Sequence, residues 1–140
     1  MPNAHPSKPR RAIHSRGDAL KLAALALPVA LSGCAMSLRD TAVVAANTIH
    51  DVAETENRII LDYCVPRYRA AATMEALAKV DAICLPAQKA YLSTKVLWQS
   101  FVATVQLAKL GKATDAEVME AVGLLSQAYA NLERLVKGLR

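Results

Sequence analysis

The stretch Thr114–Leu139, TDAEVMEAVGLLSQAYANLERLVKGL, decides the fold class. Thr114 and Glu117 stand at capping-box spacing. The hydroxyl of the first is placed to accept the third helical amide, and the carboxylate of the second to reach back to the cap N–H. Behind this start, Val118, Ala121, Leu125, Ala128, Leu132, Leu135 and Leu139 recur at alternating steps of three and four. That spacing puts them along one side of an α-helix as an apolar seam.

Working upstream, the short link Gly111-Lys-Ala113 separates this helix from the one before it. Gly111 is a suitable stop, and Lys109 complements the negative end of the preceding helix. A link this short makes the last two helices an antiparallel hairpin. The preceding seam runs Ala87, Tyr91, Thr94, Trp98, Phe101, Val105, Ala108, with Tyr91, Trp98 and Phe101 expected in the core. Residues 67–82 are rich in Ala and read as a shorter helix. Leu38, Ala42, Ala45, Ile49, Val52, Glu56, Ile59 and Tyr63 form a seam broken once, by Glu56, and predict a long first helix over 38–63 with Asp40 in its first turn. The expected fold is all-α: a small bundle of three to four helices over 38–140, with a long first helix and a C-terminal antiparallel helical hairpin.

Two segments echo each other, Cys64-Val-Pro-Arg-Tyr-Arg-Ala70 and Cys84-Leu-Pro-Ala-Gln-Lys-Ala90. Proline is favoured at the first helical position, where its missing N–H costs nothing, so Pro66 and Pro86 read as two helix starts. Cys64 and Cys84 are expected to pair in an oxidising compartment. Because an unbroken helix over 67–82 would rise about 24 Å, the bridge predicts a short or tilted second helix.

No catalytic set is legible. His50 and Glu54 lie one turn apart, yet two ligands fall short of a metal site, and a solvent-facing polar pair is expected. No nucleophile elbow, phosphate loop or dinucleotide fingerprint occurs. Neither enzyme activity nor a cofactor is expected. Tyr63, Arg67, Tyr68 and Arg69 concentrate the residue types favoured at interface hot spots and are the candidate partner contact.

The N-terminal segment is of a different kind. Lys8, Arg10, Arg11, Arg16 and Lys21 precede a ten-residue apolar run, Leu22 to Leu31, with Pro28 inside it. Such a run is too short for a bilayer core, which takes about 20 residues, and matches the apolar part of a secretory signal. It ends Leu31-Ser32-Gly33-Cys34, which resembles the lipobox of bacterial lipoproteins. The Arg10-Arg11 pair lacks the polar-Arg-Arg-x-Phe-Leu context of twin-arginine export. The resemblance implies a signal peptide over 1–33 recognised through Leu31, Ser32 and Gly33, lipidation of Cys34, and a short tether over 34–37. Ala35, in place of Asp, leans toward the outer membrane over the inner.

Cleavage there also changes the charge. Five of the 17 basic residues and one of the 12 acids precede Cys34, so the formal +5 shrinks to near neutrality. No electrostatic footprint for nucleic acid remains. The resulting expectation is a membrane-anchored envelope lipoprotein on the periplasmic side, a non-enzymatic structural or protein-interaction module. Its partners would be the bilayer, through the acyl chains on Cys34, and either an envelope protein or another copy of itself. The alternative is a phage or prophage lipoprotein for superinfection exclusion or lysis.

Overall fold

The computed structural model describes residues 36–140, and the expected signal peptide and lipidation site lie outside them. Three helices make up the fold: α1 (Leu38–Ala70), α2 (Met74–Lys109) and α3 (Asp115–Lys137), with no strand among the described residues. The small all-α bundle and its C-terminal hairpin are as expected, with three helices filling it.

Each helix begins on a side-chain cap. Ser37 accepts the Asp40 amide at 3.1 Å, Thr73 accepts the Ala76 amide at 3.1 Å, and Thr114 and Glu117 form the complete capping box. Helix α2 ends in a Schellman turn, with the Lys112 amide on the Leu107 carbonyl and the Gly111 amide on the Ala108 carbonyl. The turn needs a left-handed residue, and Gly111 supplies it at φ 70°.

The prolines correct the expected boundaries. Pro66 lies in the last turns of α1 and Pro86 inside α2, so neither starts a helix. The helix expected over 67–82 is therefore divided, its residues 67–70 ending α1 and most of the rest joining the helix expected from Ala87 in one continuous helix of 36 residues, so the second helix is not short. An interior proline leaves the carbonyl four residues earlier without its donor. Here those carbonyls belong to Asp62 and Ala82, and both residues, like both prolines, are exposed. Water can satisfy the freed oxygens, which makes the interior positions tolerable. The real break is Ala71–Thr73, marked in the sequence only by the Thr73 cap and Glu75 in the first turn.

The buried lines also differ from the expected seams, at alternate positions. In α3 the buried residues are Val118, Val122, Leu125, Tyr129, Leu132 and Val136, with Val122, Tyr129 and Val136 in place of Ala121, Ala128 and Leu135. In α1, Ala46, Ala53, Ile60 and Cys64 take over from Ala45, Val52, Ile59 and Tyr63. A helix wedged between two neighbours buries a wider arc than a two-helix seam, so the displaced residues become half-buried flanks. The α2 line holds except at Trp98, which is half-buried, and it extends back through Cys84.

Two apolar clusters fill the interior. One joins Ala42 and Ala46 to Phe101, Val105, Val118 and Leu125, and the other joins Ile60 and the two cysteines to Tyr91, Leu132, Val136 and Leu139. Arg39 of α1 reaches Asp115 at 2.7 Å, so α1 and α3 start at the same end of the bundle. Helix α1 has 33 residues and α3 has 23. At 1.5 Å per residue, the α1–α2 hairpin therefore outlasts α3 by about 15 Å.

On α3, Leu132 is fully buried and Leu124 is half-exposed. In urea unfolding, Leu132→Ala is expected to cost about 2–5 kcal/mol, and Leu124→Ala less than about 0.5 kcal/mol.

Candidate functional site

The overhanging end of the α1–α2 hairpin contains the residues singled out in the sequence. Its base is the cysteine pair. Cys64 and Cys84 are fully buried, stand at disulfide distance with Cα atoms 5.9 Å apart, and join two adjacent antiparallel helices. The bridge thus needs no shortened helix, because each cysteine lies on a different arm of the hairpin. Between them, from Val65 to Ile83, no residue is buried. Apolar packing reaches this segment only through half-buried residues such as Tyr68 and Val80, so covalent closure and polar contacts do much of the holding.

Tyr68 supplies the main polar contact. Its hydroxyl donates to the Asp81 carboxylate at 2.8 Å across the hairpin. That hydrogen bond, with desolvation and the Asp81 charge, pushes the Tyr68 phenol up from its ordinary value. Arg67 folds back on its own helix, with the guanidinium 3.4 Å from the Tyr63 ring centroid and a hydrogen bond to the Tyr63 carbonyl. Arg69 is exposed in the last turn of α1. The structure therefore divides the four candidate contact residues by task. Tyr68 ties the hairpin, Tyr63 and Arg67 form a stacked pair one turn apart, and Arg69 points a charge outward.

His50 and Glu54 do not form the expected solvent-facing pair, because both engage α2. His50 stacks on Trp98 with ring centroids 4.0 Å apart, and Glu54 accepts the Tyr91 hydroxyl at 2.8 Å. The Trp98 indole N–H is buried and meets no acceptor among the described residues. Desolvation first, then the bond to Glu54 and its charge, push the Tyr91 phenol up to about 12.

A second buried polar contact was not legible in sequence. Glu56, 6 % exposed, is met by the Arg140 guanidinium at 2.9 and 3.0 Å, one contact on each carboxylate oxygen. A buried carboxylate demands such a partner, and the seam break at Glu56 was the signal that one existed. Tyr129 lies in the field of this pair. Burial raises its phenol to about 12, with Glu133 and Glu56 adding to the rise and Arg140 opposing it.

A shallow depression between α1 and α2 is lined by Val43, Asn47, Phe101, Val102 and Lys109 among others. It gathers no acid–base pair. Among the described residues, no three His, Cys, Asp or Glu side chains converge as metal ligands, and no helix is long and apolar enough to cross a membrane. What the arrangement offers is surface: a braced hairpin end carrying aromatic and guanidinium groups.

Two outcomes follow from this geometry. Reducing the Cys64–Cys84 bridge should cost about 3 kcal/mol on the chain-entropy model. Amide exchange should speed up first over residues 65–83, ahead of α3. In alkali, Tyr91 and Tyr129 have folded-state pKa values above the ordinary 10. Their stabilisation is complete below pH 10 and is lost as pH rises toward about 12. Tyrosinate absorbance and loss of helical circular dichroism should therefore rise together in that window.

No protein-family model matches the chain, and no curated protein or solved structure matches it either.

Proposed function

We propose that the chain is a lipid-anchored envelope protein, and that its helical bundle is a non-enzymatic structural or protein-interaction module on the periplasmic side of the membrane, the outer membrane in preference to the inner. The observation that carries this reading is the conjunction of two thiol chemistries in one short chain. Leu31-Ser32-Gly33-Cys34 ends a basic, then apolar leader in the order of a lipobox, and Cys64 and Cys84 stand at disulfide distance inside the bundle. Disulfides persist in oxidising compartments, to which such a leader would deliver the chain.

The spacing between anchor and fold supports the same reading. Helix α1 begins at Leu38, four residues after Cys34, a tether of about 13 Å at full extension. Acyl chains on Cys34 would hold the capped start of α1 close to the lipid surface. Two or more chains make such anchoring stable, at about 0.8 kcal/mol per buried methylene. Helix α1 then runs about 50 Å to the bridged hairpin end, where Tyr63, Arg67, Tyr68 and Arg69 would meet a partner.

Growth with labelled palmitate tests the anchor. The parent chain should incorporate label and stay with washed membranes, and Cys34→Ser should lose both. Label retained by the variant, or absent from the parent, would sink the proposal.

A further inference from the structure

The outward side of α2 is unlike that of the other two helices. On α1 the solvent-facing line includes Asn47, Asp51, Thr55, Arg58 and Asp62, and on α3 it includes Glu120, Gln127, Asn131 and Arg134. Both are predominantly polar, as surface helices should be, with Val44 on α1 and Leu124 on α3 as isolated apolar members. On α2 the line opposite the core runs through Met74, Leu85, Leu92, Val96, Leu107 and Leu110. These recur at helical spacings, interrupted by Asp81, Lys89 and Gln99. Their exposures reach 81 % at Met74, 57 % at Leu92, 61 % at Val96 and 69 % at Leu110. The helix is thus apolar on two opposite sides, and only one is covered within the bundle. Apolar stripes of this extent mark interaction sites.

We propose that this stripe is the contact surface of a homodimer, in which two copies pack α2 against α2, antiparallel, about a twofold axis near Leu92. The inference rests on the interaction-module reading above and gives that module a partner, a second copy of this chain. Three features favour that occupant and that orientation. First, the stripe is large enough. Its helix of 36 residues is about 54 Å long and about 10 Å wide, or roughly 540 Å² per copy in projection. Two copies then clear the roughly 1,000 Å² total expected of a specific interface.

Second, the stripe is balanced about its centre. Met74 and Leu110, the two most exposed of its residues, lie at opposite ends and equally far from Leu92, so antiparallel overlap sets each on the other. Third, antiparallel packing sets the two helix dipoles in opposition, the favourable arrangement.

The test uses the full chain carrying Cys34→Ser, which removes both the lipid attachment point and the thiol outside the bridge. Sedimentation velocity across micromolar concentrations should show a species of twice 15.0 kDa. Leu92→Glu with Val96→Glu should weaken that association at least tenfold with helical content unchanged, while Leu124→Glu on α3 should leave it intact. Orientation is read by oxidative cross-linking, in which a Met74→Cys chain should couple to a Leu110→Cys chain in preference to another Met74→Cys chain. A parent that stays monomeric, a dimer indifferent to the paired glutamates, or preferential Met74→Cys self-coupling would each overturn the proposal. None of these outcomes bears on palmitate incorporation, so failure of the dimer and failure of the anchor are separable.

Discussion

The register between α1 and α2 is pinned by the bond between Cys64 and Cys84, and the rest of the hairpin follows from it. Tyr68 meets Asp81 on one side of the bridge, while Glu54 meets Tyr91 and His50 meets Trp98 on the other. As one helix ascends, the other descends past it without a slip. The bridge also sits where the third helix runs out, packed with Val136 and Leu139. On the covered side, stability comes from apolar burial shared among three helices. On the other side, from Val65 to Ile83, nothing is buried, and two helices of modest mutual contact remain. Isolated helices of such length are marginal in water, and a cross-link at their base removes the open arrangements that would compete.

The interior of the covered region is built largely from small side chains. Ala42, Ala46, Ala53, Ala87, Ala90 and Ala108 are all buried. Each removes little apolar surface from water but lets the neighbouring backbone come close, so a few large residues, Phe101, Ile60, Leu125 and Leu132, fill the gaps. In so thin a core one unpaired charge would be expensive. The contact of Arg140 Nη2 with both Glu56 carboxylate oxygens is therefore a condition for burying that carboxylate at all. In the Arg39–Asp115 pair at the opposite end the carboxylate is far more exposed than Glu56, and pairs of that kind contribute little beyond fixing which ends lie together.

Much of this was legible in the sequence, and the misreadings share a cause. The capping box at Thr114, the Gly111 stop and most of the Ala87–Ala108 line are local signals that the structure keeps. Pro66 and Pro86 are local signals too, yet they were misplaced, because a proline's cost depends on where its freed carbonyl points. A sequence does not say that Asp62 and Ala82 face water. Likewise the true break at Ala71–Thr73 falls in an alanine run, the least natural place for a helix to end by propensity. Tertiary geometry set it: the chain must reverse for Cys84 to meet Cys64. The candidate contact residues were found as a group by composition, but their separate tasks depend on Asp81, thirteen residues from Tyr68 and on another helix.

The exposed apolar residues of α2 have two distinct origins, which the short third helix keeps apart. Ile83 continues the buried line of Ala87, Ala90 and Thr94 by helical spacing, yet it is 47 % exposed. It faces the side that α3 covers elsewhere, and α3 has already ended. Leu85, Leu92 and Val96 lie on the opposite side, and no lengthening of α3 would reach them. Exposure at Ile83 is thus a consequence of unequal helix lengths, whereas exposure along the outer stripe is written into the composition of α2 itself. A helix required only to pack within this bundle has no use for a second apolar line, and the polar outer lines of α1 and α3 show the alternative available to the same chain. The outer stripe of α2 is therefore the part of the surface least explained by folding and best explained by association.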